Sequence, residues 1–260
     1  MRVLDCFAGI GGFSLGLERA GFETVAFCEI EPYCQKVLAK HWPEVPIYDD
    51  IRRITADRLL RDGIRPDVIT GGFPCQDLSA AGKQAGIDGE RSGLWAELAR
   101  LLREIRPRYA IFENVPNLLN GDGGNWFKRI LWDIWQVGYD SEWHCVPASH
   151  VGAPHQRDRV WVIAYPQCER PQGQGQYLKS LSAKTDKDWQ ANGFVDAFQA
   201  GRLPYVCREH DGLSATSHRL KALGNAVVPQ VVELIGHAIK SGEGLGPTPL
   251  PQSVGKHPEA

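Results

Sequence analysis

Short apolar runs alternate with amphipathic segments along the first 165 residues of the chain. The apolar runs predict strands, and the segments with apolar residues at helical spacing predict helices. The predicted strands cover residues 2–7, 23–29, 67–70, 109–113, and a hairpin-like pair at 142–147 and 159–164. The predicted helices cover residues 13–20, 32–41, 94–105, 126–137 and, further on, 229–240. This alternation favours an α/β fold with a doubly wound, mostly parallel sheet.

The amino-acid composition changes after Tyr165. Residues 166–216 are rich in Gln, Gly, Pro and charged side chains, and predict a small, irregular second region. A globular pattern returns at 217–240, so we expect one discontinuous main domain, 1–165 plus 217–240. Residues 241–260 hold many Gly and Pro and little to bury, which predicts a disordered tail.

Composition narrows the class of protein. At 260 residues the chain can bury one sizeable core, and a net charge of −2 gives no sign of a nucleic-acid binder. No run approaches the roughly 18 apolar residues of a membrane helix, and the first strand leaves no room for a signal peptide. The seven cysteines form no Cys-x-x-Cys pair, which argues against disulfides and a zinc site. We therefore expect a cytoplasmic protein with no metal and no membrane contact.

A Gly-rich turn and two acids indicate a nucleotide site. Residues 5–13 predict a strand, a turn and a helix start, where backbone N–H groups are free to meet a ligand. Glu29 ends the second strand, where α/β sites commonly bind ribose, and Asp50 could accept from an adenine amine. A plain tight turn and two surface acids remain the alternative. The glycine spacing is not the dinucleotide fingerprint, and no phosphate-binding Gly-Lys-Ser/Thr follows.

Candidate catalytic groups stand at other strand ends. Cys75 follows an apolar run within Phe73-Pro74-Cys75-Gln76, where a nucleophile would be placed, although a lone cysteine is more often a small apolar residue. Glu113 ends another predicted strand. Arg157 and Arg159 are two residues apart, so on an extended segment they project to the same face.

Taken together, these segments resemble the C5-cytosine DNA methyltransferase family. The resemblance covers about residues 2–165 and 205–240, and it implies a Rossmann-like sheet of the S-adenosylmethionine-dependent methyltransferase type. The matching segments, in the family's order, are 5–13, 72–76, Glu113-Asn114-Val115, Arg157-Asp158-Arg159 and 224–229.

The resemblance implies a role for each catalytic candidate. Cys75 would add to C6 of a cytosine flipped out of the duplex, which makes C5 nucleophilic. Glu113 would stabilise or protonate N3, and Arg157 and Arg159 would hold the base and favour the thiolate. A base must then remove the C5 proton, and the family match assigns none; water is a candidate.

The resemblance also implies S-adenosylmethionine as cofactor, with S-adenosylhomocysteine as product. Its expected contacts are Phe7, Gly9, Gly11, Glu29, Ile30, Asp50, Ile51, Pro74, Asn225 and Ala226. Residues 79–93 resemble the family's loop that closes over the flipped base, and the expected DNA contacts are Gln76, Ser79, Lys83, Arg91 and Asn114. Double-stranded DNA is the expected partner of a monomer, and a cognate restriction endonuclease is a candidate second partner.

The match departs from the family in three places. His155 stands where Gln is common, and Ala226 replaces a common Ser. Only about 50 residues are available for target recognition, which favours a short recognition site. Methylation of tRNA, a catalytically silent DNA-binding relative and a nucleotide-binding oxidoreductase remain alternatives. Intact Cys75, Glu113 and Arg157 argue against the silent relative, and the missing fingerprint argues against the oxidoreductase.

Overall fold

One seven-stranded sheet organises the computed structural model, which describes residues 1–73, 93–153, 156–167 and 222–243. The order of strands is β3-β2-β1-β4-β5-β7-β6. All neighbours pair in parallel except β7, which runs antiparallel to both β5 and β6. The strands are β1 Arg2–Cys6, β2 Glu23–Cys28, β3 Ile47–Tyr48, β4 Val68–Gly72, β5 Tyr109–Asn114, β6 Tyr139–Pro147 and β7 Asp158–Pro166.

Helices cover both faces of this sheet. They are α1 Gly12–Arg19, α2 Pro32–His41, α3 Ala56–Arg61, α4 Gly93–Ile105, α5 Asn117–Asn120, α6 Asn125–Gln136 and α7 Pro229–Glu243. Helices α3, α4 and α6 share a core with one face, in which Trp95, Leu98 and Ile134 are buried. Helices α1 and α7 share a core with the other face, where the rings of Phe13 and Trp161 meet edge to face at 5.8 Å.

The central strands are buried along almost their whole length, as expected for parallel strands covered on both sides. Because β1, β2, β4 and β5 are parallel, their carboxyl ends lie on one edge of the sheet. Open α/β sheets build their sites on that edge. The fold therefore gathers there the turn after β1, Glu29 after β2, the chain leading to Cys75 after β4, and Glu113 at the end of β5.

The predicted α/β class and the mostly parallel sheet are confirmed. The predicted hairpin-like pair is the antiparallel pair β6 and β7, with β6 beginning three residues earlier, at Tyr139. Three short elements were missed, namely β3, α3 and α5. Helix α7 continues to Glu243, into the predicted tail. The rest of that tail, and almost all of the predicted second region at 166–216, lie outside the described residues, so the domain division stays a prediction.

Among the described residues, one stretch has the length and composition of a membrane span, Ala222–Ser241, and most of α7 lies within it. Apolar side chains of α7 pack inside the protein. Val231, Val232, Ile235 and Ile239 are buried in the core shared with α1. Burial of this kind is typical of a core helix, so the apolar composition of α7 is accounted for by packing.

Gly16 allows α1 and α7 to pack at very close range. A methyl group at this position would lie 2.6 Å from Cβ of Val232 and closer still to the carbonyl oxygen of Pro229. We expect Gly16→Ala to lower the free energy of unfolding by about 1–3 kcal/mol, because the helices must separate. Urea unfolding measures this. Gly93→Ala is the control, since a methyl group there meets nothing within 4 Å. Equal stability of the two variants would contradict the expectation.

Candidate active site

The turn after β1 presents an open backbone to the carboxyl edge of the sheet. Phe7, Gly9 and Gly11 all have positive φ, of 53°, 56° and 88°. A side chain at Gly9 would meet nothing within 4 Å, so space lies in front of this turn. This left-handed backbone conformation exposes peptide groups to a ligand. Glycine adopts it at little energetic cost, whereas other residues do not. Phe7 adopts it without that freedom, which is a sign of strain at a site.

Glu29 is locked in place beside that turn. Its Oε2 accepts the N–H of Gly9 at 2.7 Å, and its Oε1 accepts the N–H of Glu31 at 2.7 Å. The side chain is buried, yet each carboxylate oxygen keeps a lone pair for another donor. A fixed carboxylate next to an open turn fits a ribose with two hydroxyl groups, as the sequence predicted for Glu29 and Gly9.

Asp5 supplies a contact that the sequence analysis missed. It is fully buried at the end of β1, where its Oδ2 accepts from the N–H and hydroxyl of Ser14 at 3.3 and 2.8 Å. Its Oδ1 accepts the Thr70 hydroxyl at 2.7 Å. Gly11 gives α1 no side-chain cap, so Asp5 serves the free N–H groups of that helix instead. It thereby joins the Gly-rich turn to β4.

Burial raises the pKa of Asp5 to about 6, although the hydrogen bonds from Thr70 and Ser14 oppose that rise. The unfolded value is near 3.8, so Asp5 stabilises the fold below that pH, and this contribution is lost as pH rises through about 6. A shift of this size corresponds to about 3 kcal/mol. The free energy of unfolding of the wild type should therefore fall between pH 4 and 6. We expect a smaller fall in Asp5→Asn, and urea unfolding across this pH range measures it. Parallel curves for the two proteins would contradict this.

Asp50 and Ile51 form a tight turn directly after β3, the strand that pairs with β2. The Oδ1 of Asp50 accepts the N–H of Arg52 at 3.0 Å and its Nε at 2.9 Å, which caps the short 3-10 turn at Ile51–Arg53. These hydrogen bonds lower the pKa of Asp50. Ile51 is buried and Ile30 is 68% exposed, so of the two predicted apolar contacts only Ile30 offers its side chain to a ligand from the surface.

Glu113 and Arg159 form a close ion pair at the end of β5. The Nε of Arg159 lies 2.8 Å from Oε1 of Glu113, and the carboxyl is almost fully buried. Pairing of β5 with β7 places Glu113 opposite Trp161, which brings the start of β7 to this carboxyl. Burial raises the pKa of Glu113, with the two arginines opposing the rise. The arrangement holds a carboxyl that can change its protonation state next to a fixed guanidinium.

Arg157 makes a contact within the chain, and its predicted contact with the base stays a prediction. Its Nη2 donates to the carbonyl oxygen of Ala226 at 2.9 Å, and its backbone has a strained φ of 37°. Burial, together with the charge of Arg159, lowers its pKa. The bond holds the 224–226 segment against the start of β7. Ala226 and the exposed Asn225 therefore lie near the start of β7, although they are more than 60 residues beyond that start in the sequence.

Asn114 is buried and bonded within the chain. Its Nδ2 donates to the carbonyl oxygen of Phe73 at 3.2 Å, and its Oδ1 accepts the N–H of Val115. It thus fixes the last described residue before the segment that carries Cys75, and its predicted contact with DNA stays a prediction. The remaining predicted site residues lie outside the described residues: Pro74, Cys75, Gln76, Ser79, Lys83, Arg91 and His155.

No group of three or more His, Cys, Asp or Glu is placed to hold a metal ion in residues 1–73, 93–153, 156–167 and 222–243. Of the cysteines in those ranges, Cys6, Cys28 and Cys145 are free thiols. Burial, together with nearby charges, raises the pKa of Cys28 to about 12, which makes it a poor nucleophile.

One protein-family model matches most of the chain. Residues 1–199 match the model of the C-5 cytosine-specific DNA methylase family. The Bacillus subtilis Type II methyltransferase M2.BsuMI is 39% identical over 168 residues, which is 63% of this chain and 42% of the relative. The Haemophilus parahaemolyticus Type II methyltransferase M.HhaI is 33% identical over 165 residues, covering 64% and 49%. The chain thus spans less than half the length of these curated relatives.

Solved structures agree on the fold. A prophage-encoded E. coli protein assigned to the DNA modification methyltransferases has a TM-score of 0.56 and 27% identity, covering 72% of this chain and 49% of that one. The S. pombe Dnmt2 methyltransferase has a TM-score of 0.64 and covers 93% of this chain and 99% of its own. Its identity of 14% restricts that second likeness to architecture.

Proposed function

The chain belongs to the C-5 cytosine-specific DNA methylase family, and on this premise we propose that it transfers a methyl group from S-adenosylmethionine to C5 of cytosine in double-stranded DNA. The observation that carries the proposal is the buried Glu113–Arg159 pair at the end of β5. It lies beside the end of β4, from which the chain leads to Cys75. A carboxyl, a guanidinium and a thiol are the groups that activation of a cytosine ring requires.

The first half of the site would hold the cofactor, which supplies an electrophilic methyl group on a sulfonium. Glu29 accepts the ribose hydroxyls with its two fixed oxygens, and the open turn at Gly9 leaves room for the ligand. Asp50 and Ile51 would contact the adenine of the cofactor. Asn225 and Ala226 close the site at the methionine end, held there by Arg157. Negative charge at Glu29 and Asp50 suits a cationic ligand.

The second half of the site would activate the base. The Cys75 thiolate forms a bond to C6 while the ring electrons move toward C5, and Glu113 gives its proton to N3. C5 then takes the methyl group. A base removes the proton from C5, and its electrons expel the thiolate from C6, which restores the ring. The products are 5-methylcytosine and S-adenosylhomocysteine, and Glu113 regains a proton from N3.

The raised pKa of Glu113 suits that exchange, because the carboxyl holds a proton at higher pH than a free glutamic acid does. Arg159 would stabilise the carboxylate left behind, at 2.8 Å from its Oε1, and would donate to the base carbonyl. Since a cytosine inside a duplex hides C6 from a protein side chain, the base must rotate out of the stack. The cost of doing so is roughly a few kcal/mol.

Partners follow from the same proposal. We propose duplex DNA as the substrate of a monomer in the cytoplasm. The relatives M2.BsuMI and M.HhaI carry Type II names, which supports a place in a restriction-modification system and a cognate endonuclease as partner. The brevity of the region at 166–216 keeps a short recognition site as the expectation.

The test is transfer of a labelled methyl group from S-adenosylmethionine to duplex DNA, with total RNA in a parallel reaction. We expect label in DNA, and base-resolution sequencing of that product identifies the recognition site. Label confined to RNA would move the assignment to tRNA methylation. Bound cofactor without transfer to either would indicate a silent relative, and NAD binding without S-adenosylmethionine binding would indicate an oxidoreductase.

A further inference from the structure

The peptide between Ile51 and Arg52 is held from both sides. Its N–H is donated to Oδ1 of Asp50 at 3.0 Å. Its carbonyl oxygen accepts from Nη2 of Arg100 at 3.1 Å, and also from the N–H of Ile54 at 3.2 Å. Arg100 belongs to α4 and is distant in sequence from the turn. A peptide fixed at both its donor and its acceptor cannot rotate without breaking a charge-assisted bond.

Arg100 is itself rigidly placed. Its Nε lies 2.7 Å from Glu97 and its Nη1 lies 3.0 Å from Glu104, so each nitrogen of the guanidinium has its own acceptor. The side chain is only 21% exposed. Helix α4 beneath it is anchored by Trp95, Leu98 and Leu101, which are buried in the core. A planar fork with three fixed donors can connect a helix to a backbone carbonyl, which the single ammonium of lysine cannot reproduce.

We propose that Arg100 is a positioning residue for cofactor binding: it fixes the Asp50–Ile51 turn in the conformation that receives the adenine. This inference rests on the proposed use of Asp50 and Ile51 at the adenine side. The proposal assigns the guanidinium no contact with the ligand, since its nitrogens are engaged by Glu97, Glu104 and the carbonyl oxygen of Ile51. Its effect is to keep the turn from sampling other conformations, and a preorganised site binds its ligand more tightly.

Two glutamates of the same helix make the partly buried positive charge of Arg100 tolerable at this position. Glu97 and Glu104 compensate its charge, and Glu104 also accepts the N–H of Ala56 at the start of α3. Exposed ion pairs within one helix contribute little to stability. The bond from Arg100 to Ile51 joins separate elements, so its loss should affect the turn more than it affects the helix.

The test compares Arg100→Met and Arg100→Lys with Arg103→Met, an exposed arginine on the same helix. Calorimetry with S-adenosylhomocysteine, without DNA, measures the cofactor site alone. We expect Arg100→Met to bind roughly five- to twentyfold more weakly. Arg100→Lys should bind with intermediate affinity, and Arg103→Met should bind as the wild type does. At saturating S-adenosylmethionine, kcat for DNA methylation should be unchanged, because the turn is then held by its ligand.

Three outcomes would overturn the proposal, and they are distinguishable. Wild-type affinity in Arg100→Met would refute the positioning role while leaving the proposed function intact. No binding of S-adenosylhomocysteine by the wild-type protein would refute both. A role in folding alone would lower the melting temperature of Arg100→Met without weakening binding at a temperature where the variant is folded, which would likewise overturn the proposal.

Discussion

Replacing Cys75 by alanine is expected to abolish methyl transfer while leaving cofactor binding intact. C5 of cytosine is a weak nucleophile, and addition of the thiolate to C6 is what makes it reactive. Without that covalent step no other group in the proposed site can raise the electron density at C5. We expect the rate of transfer to duplex DNA to fall by roughly 10⁴-fold or more. Release of labelled 5-methylcytosine from digested DNA measures this loss.

The matched control for Cys75→Ala is Cys145→Ala. Cys145 is the exposed cysteine of β6 and belongs to no part of the proposed site, so its variant should methylate at the wild-type rate. Affinity for S-adenosylhomocysteine should be the same in both variants. Appreciable methylation by Cys75→Ala would exclude the covalent route.

A trapped adduct gives direct evidence for the bond to C6. DNA that carries fluorine at C5 of every cytosine has no proton for the final elimination, so the thiolate cannot leave after methyl transfer. The protein–DNA adduct should survive denaturation in the wild type and in Cys145→Ala. It should be missing from Cys75→Ala. Mass spectrometry of the digested adduct would assign the modified residue.

The second large effect is expected from Glu113→Gln. Glutamine keeps the size of the side chain and a donor for N3, but it has no proton to transfer and leaves Arg159 without its ion partner. General acid catalysis of this kind contributes roughly 10²- to 10⁴-fold, and we expect kcat to fall by that factor. Affinity for S-adenosylhomocysteine should change little, because the carboxyl lies on the side of the base.

The pH dependence separates proton transfer from simple damage to the site. Burial raises the pKa of Glu113, so the wild-type rate should decline on the alkaline side as the proton is lost. The residual activity of Glu113→Gln should lack that decline. Glu142→Gln removes another acid of the sheet, one bonded to Tyr165 on β7, and should keep the wild-type rate and profile. An unchanged profile in Glu113→Gln would show that another group donates the proton.

Much of this site could be predicted because its residues sit at strand ends. Glu29 and Glu113 follow apolar runs long enough to be recognised as buried strands, and in a parallel sheet such ends must meet. The Gly-rich turn was recognisable for the same reason, since it ends β1. Elements as short as β3 and α5 were not predicted, because segments of two and four residues are too short to show the periodicity of a strand or a helix.

The residues that sequence analysis missed act through partners far away along the chain. Asp5 meets Thr70 across 65 positions, and Arg100 meets Ile51 across 49. Neither pairing leaves a local pattern, because register and helix placement decide which side chains meet. Arg157 stays a predicted site residue, and its bond to the Ala226 carbonyl spans 69 positions and appears only in the folded chain. A buried acid at the end of β1 was the one signal available for Asp5.

The return of α7 to α1 has a consequence for the timing of synthesis. Val227 lies against Gly12, and Ala226 accepts the bond from Arg157, so the site edge is built from segments made early and late. A ribosome adds about 5–20 residues per second, and the polypeptide that already contains Cys75 and Glu113 waits several seconds for these last contacts. A nascent chain still lacking them has an unfinished pocket. If the proposed function holds, products of interrupted translation should be inert toward the genome, and methylation should begin only after α7 has emerged from the exit tunnel.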